Sequence, residues 1–251
     1  MQPLDYNTFA ADCCKDLKIL QEKFQKQYDL DSYENWFYNQ ATGLLTFSSP
    51  GKELNFRYFQ VGSFSEKSQT WKWAWDNEDT LDKVKEKSQV VRAFGLRSGY
   101  NKLTDGYFKS DMVEAWEFTA IATPLTDGIG AYRPVSDHLQ IFMVITEYVP
   151  NEEAQKIKDK YIECGDHEYR RITYVCRHLD TAAKVGFHEA FETSEGMELD
   201  DDDDLQAWCD ECEKVREKEG EWNDNSMAFA QIKIVCEGCY FDMKEFNLGH
   251  R

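Results

Sequence analysis

Two Cys-x-x-Cys pairs, Cys209/Cys212 and Cys236/Cys239, constrain this chain more than any other feature. Each pair places two thiolates within reach of one ion. Together they supply the four soft ligands that tetrahedral Zn²⁺ prefers. The 23 residues between the pairs suit a zinc ribbon or a related finger. A closed four-thiolate site leaves no position for water, so the expected metal is structural. Cys176 and His178 form a further candidate pair. They would either join one Cys-x-x-Cys pair in a mixed ligand set or form a second site with Cys164, His167 or His188. Spacing leaves open whether one or two zinc ions bind.

With 251 residues the chain is long enough for two modest cores. Its eight cysteines, with no basic-then-apolar leader at the N-terminus, fit a reducing cytoplasm rather than a disulfide framework. No apolar run approaches the roughly 18–20 residues of a membrane span. The net charge of −18 is uneven. Residues 1–150 hold 16 Lys/Arg against 21 Asp/Glu, net −5; residues 151–251 hold 13 against 26, net −13. Such an acidic zinc domain is a poor match for a phosphate backbone, so no nucleic-acid partner is expected. A basic protein partner is allowed.

Periodicity predicts an α+β fold: an antiparallel sheet with flanking helices, then a small zinc-ribbon-like C-terminal domain. Tyr6, Phe9, Cys13, Leu17, Leu20 and Phe24 recur at three- and four-residue steps, predicting a helix over 5–28 capped by Asp5 or Asn7. Strands over 35–40, 44–48, 54–63 and 70–76 form a four-stranded meander. Helices follow over 79–94 (Leu81, Val84 and Val91 on one side) and 111–123, the latter capped by Ser110. A loop over 128–134 precedes a buried strand over 139–148. The expected division is a domain over 1–150, a connector over 151–166 and a zinc-binding domain over 167–251. The run of five aspartates at 200–204 should repel itself into a mobile loop.

Trp71, Trp73 and Trp75 alternate, which on a strand projects all three indoles from one face. The stripe is either core or a binding surface. In the second case Trp73, Trp75, Asn77, Tyr132 and Arg133 would line a ligand pocket, with the Arg133 fork presented beside Gly128 and Gly130. Trp208, Trp222, Phe229, Tyr240 and Phe241 lie close to the metal pairs and should supply the small core a zinc domain needs. Neither a Gly-x-Ser-x-Gly elbow, a phosphate-binding glycine loop nor His-Glu-x-x-His occurs, and only His138 lies in the first 150 residues. No catalytic residue is assigned.

The segments Val61-Gly62-Ser63-Phe64-Ser65 and Thr70-Trp71-Lys72-Trp73-Ala74-Trp75-Asp76-Asn77 resemble a bacterial domain family of unknown function, whose members carry Gly-Ser-x-Ser and Trp-x-Trp-Ala-Trp-x-Asn. Gly130-Ala131-Tyr132-Arg133-Pro134 fits the same pattern, and the resemblance covers roughly residues 5–148. The C-terminal part, with Cys176-Arg177-His178-Leu179 and the two Cys-x-x-Cys pairs, looks like small uncharacterised bacterial metal-binding proteins. It is distantly similar to ubiquitin-protease-type zinc fingers but lacks their later histidine ligands. The expectation is a cytoplasmic zinc-binding protein, more a non-enzyme than an enzyme. Its work would be protein–protein recognition, for instance as an immunity or accessory factor. The alternative is an enzyme or small-molecule binder using the aromatic/Arg pocket.

Overall fold

A computed structural model describes residues 5–78, 80, 82–134, 139–197, 199 and 203–249, apart from the side chains of residues 82 and 83. Leu81, His138 and residues 200–202 of the aspartate run lie outside the described residues. The chain divides into two compact units, Met1–Ala154 and Gln155–Arg251. The fold is α+β, as the sequence predicts.

In the first unit, α1 (Tyr6–Tyr28) starts where the Asp5 carboxylate accepts a hydrogen bond from the Thr8 amide. It ends at Asp29, whose φ of 48° is left-handed. Ala10, Cys13, Leu17 and Phe24 form its buried stripe. Strands β1 (Asn35–Asn39), β2 (Leu44–Ser49), β3 (Lys52–Ser65) and β4 (Thr70–Trp73) run antiparallel in sequence order, which is the expected meander. The sheet is larger than that. After α2 (Asp82–Ser98), β5 (Tyr107–Lys109) extends it beyond β4. After α3 (Met112–Leu125), β6 (Gly130–Tyr132) pairs with β7 (Leu139–Val149), and β7 runs antiparallel along β3. Residues 55–57 of β3 pair with both β2 and β7, and residues 62–65 with both β4 and β7. One edge of β3 is therefore shared end to end by β2 and β4, and its other edge belongs to β7. Two register shifts, at Thr146 of β7 and Val61 of β3, fit bulges that let so long a pair twist.

Two expectations are corrected here. Asp111, not Ser110, caps α3, its carboxylate accepting from the Val113 and Glu114 amides; the Ser110 hydroxyl instead donates to Glu114 Oε2. Residues 130–132 of the expected loop form β6.

Trp71 and Trp73 are fully buried, packed on Phe118 at centroid distances of 5.1 Å each, and Trp71 also meets Phe142. A Cβ at Gly62 would lie 2.4 Å from Cζ2 of Trp71 and 2.6 Å from the Lys72 carbonyl oxygen. Only glycine lets the indole lie flat against β3.

The second unit holds β8 (Tyr161–Cys164), β9 (Glu168–Val175), β10 (His188–Glu189), β11 (Gln206–Trp208), α5 (Asp210–Glu219), α6 (Asp224–Ala230), β12 (Lys233–Cys236) and α7 (Glu237–Leu248). The strand order is β10-β11-β9-β12, with β8 in a hairpin on β9. β11 is parallel to β9 and β12 antiparallel to it. Residues 151–166 contain α4 (Asn151–Lys158), where the two units meet in sequence, and β8. Val175, Leu179, Leu205, Ala207, Ala230 and Tyr240 form a small core around buried cysteines.

Candidate metal centres

The four cysteines of the two Cys-x-x-Cys pairs do not converge. Two separate groups form instead. The outer group, Cys164, His167, Cys236 and Cys239, encloses the inner one, Cys176, His178, Cys209 and Cys212, in chain order. Within each group the ligand atoms all lie within 4.8 Å of one another.

Strand pairing explains this partition. His167 immediately precedes β9 and Cys176 immediately follows it, nine residue steps or about 30 Å apart at roughly 3.3 Å per residue. Parallel pairing of Ala207 with Val175 brings Cys209 beside Cys176, and the Cys209 amide donates to Cys176 Sγ at 3.4 Å. Antiparallel pairing of Cys236 with Ile172 takes the other pair toward His167. The two groups therefore clamp opposite ends of one strand, too far apart to share an ion. Both Cys-x-x-Cys pairs have the same local form, a strand leading into a helix. Cys209 is the N-cap of α5 and Cys236 the N-cap of α7, so the second cysteine of each pair falls in the first helical turn. The positive end of a helix dipole there favours a thiolate.

The donor set and spacing can be compared with a metal ion. Tetrahedral Zn²⁺, with Zn–S of about 2.3 Å and Zn–N of about 2.0–2.1 Å, gives S···S edges of about 3.8 Å and S···N edges of about 3.6 Å. In the outer group Cys164 Sγ lies 3.8 Å from Cys239 Sγ, and His167 Nδ1 lies 3.5 Å from both Cys236 Sγ and Cys239 Sγ and 3.8 Å from Cys164 Sγ. In the inner group His178 Nδ1 is 3.3 Å from Cys212 Sγ and 3.6 Å from Cys209 Sγ. These are tetrahedral edges, and all eight cysteines are free thiols rather than disulfides.

The surroundings orient the histidine of the outer group. His167 turns Nδ1 to the sulfurs, while Nε2 lies 3.1 Å from Asp242 Oδ2 on α7. That carboxylate fixes the ring and its tautomer in the manner of a metal-bound imidazole. A Cβ at Gly238 would sit 2.4 Å from Cγ of His167, so the glycine of Cys236-Glu237-Gly238-Cys239 makes room for the ring. Phe229 packs beside His178 at 5.3 Å.

Ionisation within the groups is uneven. Backbone donation from Asp166, with a hydrogen bond to His167, pulls the Cys164 thiol down to about 6. Burial, with Cys236 and Cys164 close by, pushes Cys239 up to about 12. Burial and then the charge of Cys176 raise Cys212 as well. Packed thiols oppose each other's ionisation, and a divalent cation among them reverses that opposition.

Each metal candidate of the sequence, Cys176, His178, Cys209, Cys212, Cys236 and Cys239, falls in one of the two groups. What is corrected is the pairing: two Cys₃His sets replace one four-thiolate set. Cys164 and His167 were only alternatives in the sequence, although Cys164-x-x-His167 is itself a chelating spacing. His188 lies in neither group; its Nε2 meets Asp210 Oδ1 at 2.8 Å. It lines a cleft of about 330 Å³ with Trp208, Glu213, Arg216 and Trp222. The polar groups there satisfy one another. Arg216 donates twice to Glu213, and Trp208 Nε1 donates to the same carboxylate. The guanidinium and then the indole hold the Glu213 carboxyl down at about 2.

The proposed ligand pocket of the first unit does not assemble. Trp73 is fully buried, and its Nε1 donates to the Lys102 carbonyl at 3.1 Å. Trp75 and Asn77 leave the strand, because Ala74–Asp76 form a 3₁₀ turn, and Arg92 stacks over Trp75 at 4.9 Å. Tyr132 packs edge-on against Phe47 and Trp36 in a second aromatic cluster. Arg133 lies 6.0 Å from the ring centroids of Trp116 and Phe142 and donates to Gln140. Trp73 and Trp75 belong to one core and Tyr132 to another.

The fold and the site together define a two-unit α+β protein with a Cys/His-rich second unit able to hold metal. Over residues 7–148 the chain matches, and it belongs to, a family of unknown function (DUF6882). No curated protein and no solved structure matches the chain. No helix among the described residues is long and apolar enough to cross a membrane.

Proposed function

We propose that both Cys₃His groups bind Zn²⁺ and that the chain is a non-catalytic cytoplasmic protein that recognises another, basic protein. The observation that carries the metal reading is the gathering of three sulfurs and one imidazole nitrogen within 4.8 Å in each group, with four separations in the outer group and two in the inner one near tetrahedral edge lengths. Four protein ligands per ion leave no open position for water or substrate, which marks each zinc as structural. The metal then serves to fold a surface, and a net charge of −13 over residues 151–251 selects a basic partner by electrostatic steering. An immunity or accessory factor for a basic protein is one form this role takes. The test is native pull-down with the zinc-loaded chain at low and high salt. The reading predicts a basic protein captured at low salt and released at high salt. Capture of nothing at low salt, where association should be strongest, sinks it.

A further inference from the structure

The run 227–234, from the second half of α6 into β12, carries Met227, Phe229, Ile232 and Ile234 at the surface, Ile234 being 54% exposed. β12 ends the strand order, so among the described residues β9 is its only strand partner and its outer backbone edge is open. Ile232 immediately precedes β12 and Ile234 lies on it, two residues apart. An open edge with exposed β-branched side chains is the template for adding another strand. Both metal groups brace this run. Phe229 rests on His178 of the inner group, and Cys236 of the outer group ends β12.

We infer that the β12 edge receives an extended segment of a basic protein in which apolar residues alternate with Lys or Arg. This rests on the recognition reading above and names its surface. Apolar side chains on one side of the added strand would cover Ile232 and Ile234. The alternating cations would face a unit of strongly negative charge, with Glu217, Glu221 and Asp224 exposed before and within α6. Arg177 donates to Gln231 Oε1 and Lys233 to the Leu179 carbonyl, and both keep their charge, so the attraction for a basic segment comes from the net charge of −13 over residues 151–251 rather than from the strand itself. A second copy of the chain is the disfavoured occupant, because pairing two such edges brings together two chains of charge −18.

The test titrates short fluorescent peptides, alternating Val with Lys or Val with Glu, into the zinc-loaded full chain and into Ile234→Asp. The aspartate removes the apolar contact while adding negative charge, so it separates docking on this edge from mere charge attraction. Unchanged zinc content and circular dichroism establish that the variant is folded, and Ile234→Thr serves if it is not. The Val/Lys peptide should bind, weaken by about tenfold or more in the variant, and weaken with salt, while the Val/Glu peptide should not bind. Equal or tighter Val/Lys binding by Ile234→Asp overturns the docking edge. No Val/Lys binding to the native chain also overturns it. A dimer that Ile234→Asp dissolves in light scattering makes a second copy the occupant and overturns it too. A basic protein still captured by Ile234→Asp in pull-down means the edge is wrong and the recognition reading stands. Capture of nothing by the native chain fails the recognition reading itself.

Discussion

Replacing Trp73 by Phe separates a core tryptophan from a binding tryptophan. The side chain loses about three heavy atoms from a fully buried position packed on Phe118 and Trp71. At ~0.8 kcal/mol per buried methylene equivalent this costs about 2 kcal/mol. The Lys102 carbonyl also loses its indole donor, which adds about 1 kcal/mol. The total of about 3 kcal/mol is a large share of the roughly 5–15 kcal/mol that holds a domain together. Trp71→Phe provides an internal comparison. Trp71 is equally buried, but its Nε1 has no partner among the described residues, so only the packing is lost. Trp36→Phe, on the exposed edge strand β1, should cost less than about 1 kcal/mol. Urea unfolding followed by near-ultraviolet circular dichroism reads all three, since five of the seven tryptophans lie in the first unit. The predicted order of loss is Trp73, then Trp71, then Trp36. A Trp73→Phe protein as stable as Trp36→Phe would refute the core assignment and restore a binding role for the stripe.

Three further outcomes follow from the geometry. Gly238→Ala forces a methyl into the His167 ring, so it should weaken metal at the outer group while leaving the inner one loaded; competition with a chromophoric chelator reads this. Asp242→Ala frees the His167 ring and should weaken the outer site by about 10–100-fold in the same assay, with no effect on the inner site. Glu117 has its carboxyl raised by burial, with Lys102 pulling the other way. A raised carboxyl binds its proton more tightly in the folded state, so stability is greatest below the unfolded value and falls as pH rises through the folded one. Glu117→Gln should therefore raise the melting temperature at pH 7 and flatten the pH dependence above about 4.5; a drop at pH 7 would contradict the assignment.

Much of the first unit was legible because its pattern is local. The α1 positions Cys13, Leu17 and Phe24 and the alternation through Trp71 and Trp73 follow from helical and strand periods alone. Trp75 broke the alternation because the chain turns at Ala74, a change that no period announces. Six of the eight side chains in the two groups were legible as well, since Cys-x-x-Cys and Cys-x-His spacings bring two donors together, whereas Cys164 and His167 stood only as alternatives. Which pairs share an ion was not legible. That choice is made by β11 lying parallel, and β12 antiparallel, to the same strand β9. Pairing between segments thirty to sixty residues apart leaves no mark in the spacing of either motif.

The central claim is that two separate Cys₃His sites clamp the ends of β9. Zinc content per chain, measured by elemental analysis on the native protein and on Cys209→Ser and Cys236→Ser separately, tests it most directly. Two zinc ions in the native chain, with about one retained in each variant, is the predicted result. A single zinc in the native chain, lost in both variants, would mean that the two Cys-x-x-Cys pairs share one ion and would contradict the account.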